Sequence, residues 1–519
     1  MIFLGLIRAG VLTFLALWQV LAMPSLSAAE LPAFRLDATK VTVSGISSGA
    51  YMAVQFGTAF SASVSGVAAT AGGPYFCAGR DAWAGGGVGK VMARCMQGDP
   101  AYPAQPITEA DLDNMHAATL AWSARGLNDA ASHLERQRIW LFHGYNDGIV
   151  KQPVSDALER WYEGFVPKAQ LFYKQDLRAA HAQISATCAG TGDGDSTCNP
   201  CAVTGGNFIN ACPGGAPDGS SYDAAGAALQ MFYGPMERTS SSGLTGKLVE
   251  FDQTPFIQRN GRPLIPQRAS MAATGYVYVP QACAAGEACR LHVAFHGCQQ
   301  EVGRIGTRFV TQSGFNEWAD ANRIVVLYPQ TAAVWAVPFT PFNPNGCWDW
   351  WGYTDFGFDM TGHYATRDGT QMAAVWRMVQ RLAAAGQAGV PSPEGAVPVL
   401  KVIDRSPTQV VLAWTPVAGA VGYRIYRGEG ERAGDGGPLR ALTAVAVDGP
   451  SWVDSRDLSP QTTYRYLVRP VDGSGVEGLS SATVRVSTGR TPPACDPYYS
   501  LLQERVVGRN NRPTNDVCP

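Results

Sequence analysis

VTVSGISSGAYMAVQF, Val41 to Phe56, contains G-I-S-S-G at Gly45 to Gly49, a fit to the G-x-S-x-G pattern that seats a nucleophilic serine on a sharp turn between strand and helix. The pattern alone is weak in a chain with 58 glycines among 519 residues. Its surroundings add weight. T-K-V-T-V-S ahead of it is β-branched and alternating, which predicts a short strand, and A-Y-M-A-V-Q-F-G-T-A-F behind it has apolar residues at helical spacing. Gly45 and Gly49 suit such a turn, because a side chain at either place would collide with the adjoining strand or helix. Ser47 is therefore a candidate nucleophile.

The chain opens with Arg8, an apolar run from Ala9 to Met23, Pro24 and small residues ending near Ala29. That is the layout of a secretory signal peptide over residues 1–29; as a bilayer span the run is short. No later segment is apolar enough to cross a membrane, so the mature chain is expected to be exported, extracellular or periplasmic, with no membrane partner. All twelve cysteines lie beyond the signal, an even number that suits an oxidising compartment. Cys77 with Cys95, Cys283 with Cys289 and Cys495 with Cys518 are the short-loop pairings that spacing suggests. C-N-P-C at Cys198 to Cys201 has no second C-x-x-C and no histidine at ligand spacing, so it does not argue for metal or redox chemistry. A net charge of −2 and a pI near 6.4 offer no basic stripe for a nucleic acid.

Some 490 mature residues exceed one ordinary core, about 100–200 residues per domain being usual. Residues 30–385 mix buried-strand candidates (R-I-W-L-F-H-G, L-H-V-A-F-H-G, R-I-V-V-L-Y-P) with helices, ending in the amphipathic T-Q-M-A-A-V-W-R-M-V-Q-R-L-A-A. This alternation predicts an α/β fold with a largely parallel sheet. A Pro- and Gly-rich linker, 386–398, follows. Residues 399–489 are all-β in texture, with V-V-L-A-W, Y-R-I-Y-R and T-Y-R-Y-L-V-R-P separated by turn residues; Trp414, Tyr423 and the run from Leu458 to Tyr466 resemble a fibronectin type III module. Residues 490–519 form a short Cys-bracketed tail, too small for a core of its own.

A nucleophilic Ser47 needs a base, an acid that orients it and an oxyanion hole. Of seven histidines, His116 and His133 fall in polar helical surroundings and read as solvated, and His292 lies inside a strand. His143, His181, His296 and His363 remain. Asp147, just past a strand in H-G-Y-N-D-G-I-V, is placed where sheet enzymes carry functional groups. Chain logic leaves His181 and His363 both open as the base. His296, in A-F-H-G-C-Q-Q, follows a strand as in the H-G loops that supply oxyanion-hole N–H groups in α/β-hydrolases, but in those enzymes the loop precedes the nucleophile. Here it follows Ser47 by 249 residues (296 − 47).

With the nucleophile first and the H-G loop last, the chain resembles the type II poly(3-hydroxybutyrate) depolymerases, whose α/β-hydrolase domain is circularly permuted. G-I-S-S-G, H-G-Y-N-D-G-I-V, N-F-I-N-A-C, Y-D-A-A-G-A-A-L-Q-M-F-Y-G, V-A-F-H-G-C-Q-Q and N-P-N-G-C-W-D-W-W-G-Y carry that resemblance over most of residues 38 to 385. It implies Ser47 as nucleophile, Asp147 as orienting acid and His181 as base, with oxyanion donors from the backbone of Ser48 and Cys298 in the His296 loop. It also implies a polyester substrate, no metal and no organic cofactor; a monomer is expected. Trp348, Trp350, Trp351 and Tyr353 could line a groove for a methyl-bearing ester chain, or simply pack a core. One departure stands out. Members that attack crystalline polymer usually carry a polymer-binding domain after the linker, where this chain has a short tail, so the expectation is a preference for amorphous polymer or oligomers, or else adsorption through the module and tail. A general carboxylesterase acting on soluble esters, such as plant cell-wall acyl groups, is the alternative reading.

Overall fold

The computed structural model describes residues 29–79, 87–187, 198–216, 219–234, 236–335, 341–355 and 362–387, and most of 397–488. The expected signal segment up to residue 28, Cys188, Cys495, Cys518, most of the linker and the 490–519 tail lie outside the described residues.

Eight strands form the central sheet. Along the chain they are β1 (Val41–Ile46), β2 (Val64–Thr70), β3 (Arg138–Phe142), β4 (Leu171–Lys174), β5 (Lys247–Asp252), β6 (Thr274–Val279), β7 (Arg290–Phe295) and β8 (Ile324–Tyr328). Across the sheet the order is β4-β3-β2-β1-β7-β8-β6-β5. The six strands from β4 to β8 in this order run parallel, and β6 is antiparallel to both its neighbours. β1 pairs with β7 with Gly45 opposite Phe295, so the G-x-S-x-G turn and the H-G loop leave the sheet side by side despite their distance in sequence. This is the permuted α/β-hydrolase arrangement that the motif order predicts.

Helices cover both faces. They are α1 (Ser48–Ala59), α2 (Gly87–Cys95), α3 (Glu109–Ala124), α4 (Gln152–Glu163), α5 (Ala224–Tyr233), α6 (Phe315–Asn322) and α7 (Thr370–Ala383), beside shorter turns. Side chains alternate across a strand, and β8 shows the result. Val325 and Leu327 join the core beneath α1 and α7, while Ile324, Val326 and Tyr328 join the core beneath α5 and α6. With both faces covered the strands read as unbroken apolar runs, and each fully buried aliphatic side chain contributes roughly 1.5–3 kcal/mol. Every residue of α1 is buried, because this helix lies directly on the sheet. At its far end Gly57 admits Val67, whose Cγ2 would lie 2.4 Å from an added Cβ.

Four disulfides stand among the described residues. Cys77–Cys95 and Cys283–Cys289 are the pairings that short spacing suggests, whereas Cys201–Cys212 and Cys298–Cys347 join cysteines that spacing did not single out. Cys198 is also disulfide-bonded, so each cysteine of C-N-P-C is held by a partner outside that run. His116 and His133 differ from the solvated expectation. Both are half-buried; His116 stacks on Trp161 at 6.2 Å and bonds its carbonyl at 2.9 Å, because α3 turns that face onto α4.

The all-β region folds as a sandwich of two sheets. One contains β9 (Leu400–Arg405), β10 (Val410–Trp414) and β13 (Ser451–Asp454); the other contains β11 (Gly422–Glu429), β12 (Arg440–Ala441), β14 (Thr463–Val471) and β15 (Val484–Ser487). Trp414, Tyr423, Ile425, Tyr466 and Val468 fill the space between them. Three strands against four, with a tryptophan at the centre, is a fibronectin type III-like layout.

Candidate active site

The candidate residues gather at the carboxyl ends of β1, β3, β4 and β7, where a parallel sheet presents its loops. Ser47 follows β1 at φ 56°, ψ −123°, a region that costs a non-glycine residue about 1–3 kcal/mol. The surroundings hold it there. Its N–H donates to Thr70 O at 3.0 Å, and its carbonyl accepts from Ala50 and Tyr51 at 2.9 and 3.1 Å, starting α1. The glycines on either side permit the turn. A Cβ at position 45 would lie 2.0 Å from Gly49 O, and one at position 49 would lie 2.4 Å from the carbonyl oxygens of both Phe295 and His296.

Asp147 and His181 are both buried. His181 Nδ1 and Asp147 Oδ2 are 2.8 Å apart. An ionised carboxylate can only accept, so Nδ1 carries a proton, and in the neutral imidazole this leaves Nε2 with its lone pair. The other oxygen, Oδ1, accepts from the N–H groups of Ile149 at 2.8 Å and Val150 at 3.1 Å. Burial alone would raise the Asp147 carboxyl, but the facing His181 and the Ile149 N–H favour the carboxylate and hold the group below its ordinary value. His143 secures the same loop, with Nε2 2.8 Å from Val150 O. Phe208 meets the His181 ring edge-on at 6.3 Å.

Ser47, Ser48, His181 and Cys298 line one cleft of about 470 Å³, together with Trp350 and Trp351. Among the described residues no hydrogen bond joins the Ser47 hydroxyl to His181; such contacts commonly tighten only when substrate is bound. The H-G loop passes over Ser47, whose Cβ is 3.4 Å from the position a Gly297 Cβ would take. His296 is fully buried. Its Nδ1 is 2.7 Å from Gly297 O, and its Nε2 accepts from the Thr331 N–H at 3.2 Å. Burial pushes this imidazole down to about 4, so it is a neutral prop for the loop. Neither the Ser48 nor the Cys298 N–H has a backbone partner among the described residues. The first lies at the N-terminus of α1, where orphan donors and the helix dipole favour negative charge. His363 does not line the cleft.

The aromatic run divides. Trp350 stacks on Tyr51 at 4.4 Å and Trp351 meets Trp350 at 5.2 Å, both on the cleft wall. Trp348 and Tyr353 correct the expectation of a substrate-lining role, since neither reaches the cleft. Trp348 is fully buried between Phe295 and His296, at 5.0 and 5.5 Å, and the Tyr353 hydroxyl donates inward to Cys347 O at 2.6 Å. Asp349 imposes the division. Its buried carboxylate accepts from the N–H groups of Gly352, Tyr353 and Thr354 at 2.7–3.1 Å, curling the loop so that the first and last rings of the run turn inward and the middle two, Trp350 and Trp351, face the cleft. Asp349, Tyr51, Phe208 and the Val91, Met92 and Met96 face around α2 were not singled out by sequence reasoning. For α2 a signal existed, since V-G-K-V-M-A-R-C-M carries apolar residues at helical spacing; Asp349 within C-W-D-W-W offered none.

No protein-family model matches the chain. A poly(3-hydroxybutyrate) depolymerase of Delftia acidovorans is 35% identical over 463 residues, 88% of this chain and 81% of the relative. A polyhydroxybutyrate depolymerase of Talaromyces funiculosus is 34% identical over 374 residues, 70% of this chain and 96% of its own. Among solved structures, a PHB depolymerase complexed with an R3HB trimer aligns over 69% of this chain and 99% of its own, with TM-score 0.55 and 32% identity. The PHB depolymerase of Penicillium funiculosum aligns over the same shares with TM-score 0.55 and 33% identity. The chain belongs to the poly(3-hydroxybutyrate) depolymerases, a family of serine-type carboxylic ester hydrolases.

Proposed function

We propose that this protein is exported and hydrolyses the ester bonds of poly(3-hydroxybutyrate) and its oligomers, with Ser47 as nucleophile, His181 as base and Asp147 as orienting acid. The observation that carries the proposal is the buried Asp147–His181 pair, 2.8 Å apart, in the same cleft as a backbone-strained Ser47. Its polymer substrate rests on the named relatives and on the trimer-bound neighbour.

In this mechanism His181 Nε2 takes the Ser47 proton as Oγ attacks the ester carbonyl. The Ser48 and Cys298 N–H groups bind the oxyanion, and Asp147 stabilises the imidazolium that forms. Collapse expels the alcohol end of the chain, which receives the proton from His181, and leaves the acyl group on Ser47. Water, deprotonated by His181, then releases the acid and restores the serine. Trp350, Trp351, Tyr51 and the Met92–Met96 side of the cleft give the methyl-bearing chain an apolar bed, while Val88, Tyr102 and Phe342 are exposed on the rim.

The nucleophile is tested with a phosphonate ester that modifies active serines. Intact-mass measurement is expected to show a single adduct on the wild type, mapping to the peptide that holds Ser47, and none on Ser47→Ala. An adduct on Ser47→Ala would overturn the assignment.

A further inference from the structure

Gln300 closes the A-F-H-G-C-Q-Q motif, and nothing in the mechanism above uses it. Its side chain is buried, 1% exposed, and fully engaged. Oε1 accepts from the Gly297 N–H at 2.7 Å, and Nε2 donates to the carbonyls of Asn207 and Phe208, each at 3.0 Å. One carboxamide thus spans two loops that lie more than eighty residues apart in sequence, with no spare donor.

Each end of the span reaches part of the site. On one side Gly297 is saturated: its N–H goes to Gln300, and its carbonyl accepts from His296 Nδ1 at 2.7 Å and from the Gln300 N–H at 3.3 Å. The loop can make this return because Gln299 adopts φ 61°. Gly297 O and the Cys298 N–H belong to one planar peptide unit, so holding the carbonyl also holds the N–H of Cys298, a residue that lines the cleft. On the other side the Phe208 carbonyl also accepts from the Gln183 N–H at 2.8 Å. Gln183 pairs with Ile209 in a short parallel ladder two residues beyond His181, and the Phe208 ring packs on the His181 imidazole.

We infer that Gln300 is a positioning residue for the reaction, one that locks the Cys298 oxyanion donor and the His181 base into a single geometry. The inference rests on the proposed Ser47–His181 mechanism. It assigns no contact between Gln300 and substrate. A buried amide serving only stability would affect folding and leave turnover per folded molecule unchanged; a positioning residue affects the transition state more than the ground state.

The test uses the full chain, a soluble 3-hydroxybutyrate trimer ester, and two near-isosteric variants, Gln300→Met and Gln300→Glu. Kinetics are read beside inhibition by a trifluoromethyl ketone, which forms a tetrahedral oxyanion on the serine, and by a carbonyl-reduced analogue, which does not. For Gln300→Met, kcat is expected to fall about 100-fold with KM within about threefold, the scale of a misplaced oxyanion donor. Affinity for the ketone falls in parallel, and affinity for the reduced analogue is retained. In Gln300→Glu the carboxylate sets an oxygen against two carbonyls, and its protonation restores one donor. Its kcat relative to wild type is therefore expected to climb as pH is lowered, a trend that remains readable if the Met variant does not fold. Unchanged kcat and ketone affinity in folded Gln300→Met, or a flat Gln300→Glu ratio, would overturn the inference. Ser47→Ala is assayed alongside: if it still cleaves the trimer, the proposed mechanism fails first, and that failure is seen separately from any result on Gln300.

Discussion

Adding one methyl group at Gly49 tests how tightly the nucleophile turn is fitted to the neighbouring strand. An alanine Cβ at that position would sit 2.4 Å from Phe295 O, 2.4 Å from His296 O and 2.8 Å from Phe295 C. Van der Waals contact needs roughly 3.5 Å, so about 1 Å of separation must be found between the start of α1 and the end of β7. All three obstructing atoms are backbone, and no rotamer change can move them. The separation lands on the proposed oxyanion hole, because Ser48 N–H lies on one side of the gap and Cys298 N–H on the other. A misplacement of this size costs about 100-fold in turnover, and overpacking of this kind costs roughly 1–3 kcal/mol of stability. Gly57→Ala is the control. Gly57 lies in the same helix as Gly49, and its added Cβ meets Val67 Cγ2 of β2 at 2.4 Å, but that atom is a side-chain tip remote from the turn, so a similar stability loss should leave kcat within about twofold. Both variants are assayed for kcat on a soluble short-chain ester and for thermal midpoint. A Gly49→Ala protein with wild-type kcat, or equal kcat losses in the two variants, would refute the reasoning.

Other expectations follow from the same geometry. His181→Ala should lower kcat by at least about 1,000-fold, the scale set by loss of a triad member, whereas His363→Ala should hydrolyse ester near the wild-type rate; the reverse pattern would mean the base is misassigned. Removing the Trp350 ring, stacked on Tyr51 along the cleft wall, should raise KM for a 3-hydroxybutyrate trimer more than it lowers kcat, which steady-state kinetics with Trp350→Ala will show. Acid sensitivity should trace partly to His292, whose two ring nitrogens lie 2.8 Å from the Thr42 and Ser44 hydroxyls and whose imidazole burial pushes down to about 3. The unfolded chain protonates this residue below about pH 6.5. The folded chain does so only near pH 3, so its stabilising contribution is complete above pH 6.5 and drains as pH falls toward 3. Between pH 7 and 5 the loss is about 2 kcal/mol. Urea unfolding at the two pH values should show the wild type losing about that much more than His292→Gln, and equal losses would contradict the argument.

How much of this was legible in the chain depends on the range of each signal. The strand, glycine turn and helix around Ser47 are local, and the observed elements start where the alternation changes period. The neighbourhood of β1 and β7 is not local, yet the H-G and G-x-S-x-G motifs announced it, because each presupposes the other's strand. Cys77–Cys95 and Cys283–Cys289 close loops of 18 and 6 positions and could be guessed. Cys298–Cys347 spans 49 and could not, though it joins the H-G loop to the tryptophan loop. The division of Trp348 and Tyr353 from Trp350 and Trp351 was illegible because an irregular loop has no period; the bonds to Asp349 decide which ring turns inward. Chain logic left His181 and His363 tied. The resemblance favoured His181, and the 2.8 Å contact with Asp147 favours the same choice.

The central claim is that Ser47 attacks a polyester. The direct measurement is clearing of an amorphous poly(3-hydroxybutyrate) suspension by the mature protein and by Ser47→Ala, with a soluble short-chain ester assayed in parallel. The account predicts clearing by the wild type and none by the variant, with soluble-ester hydrolysis lost in the variant as well. Clearing by Ser47→Ala would contradict the nucleophile, and soluble-ester hydrolysis without any clearing by the wild type would contradict the polymer substrate.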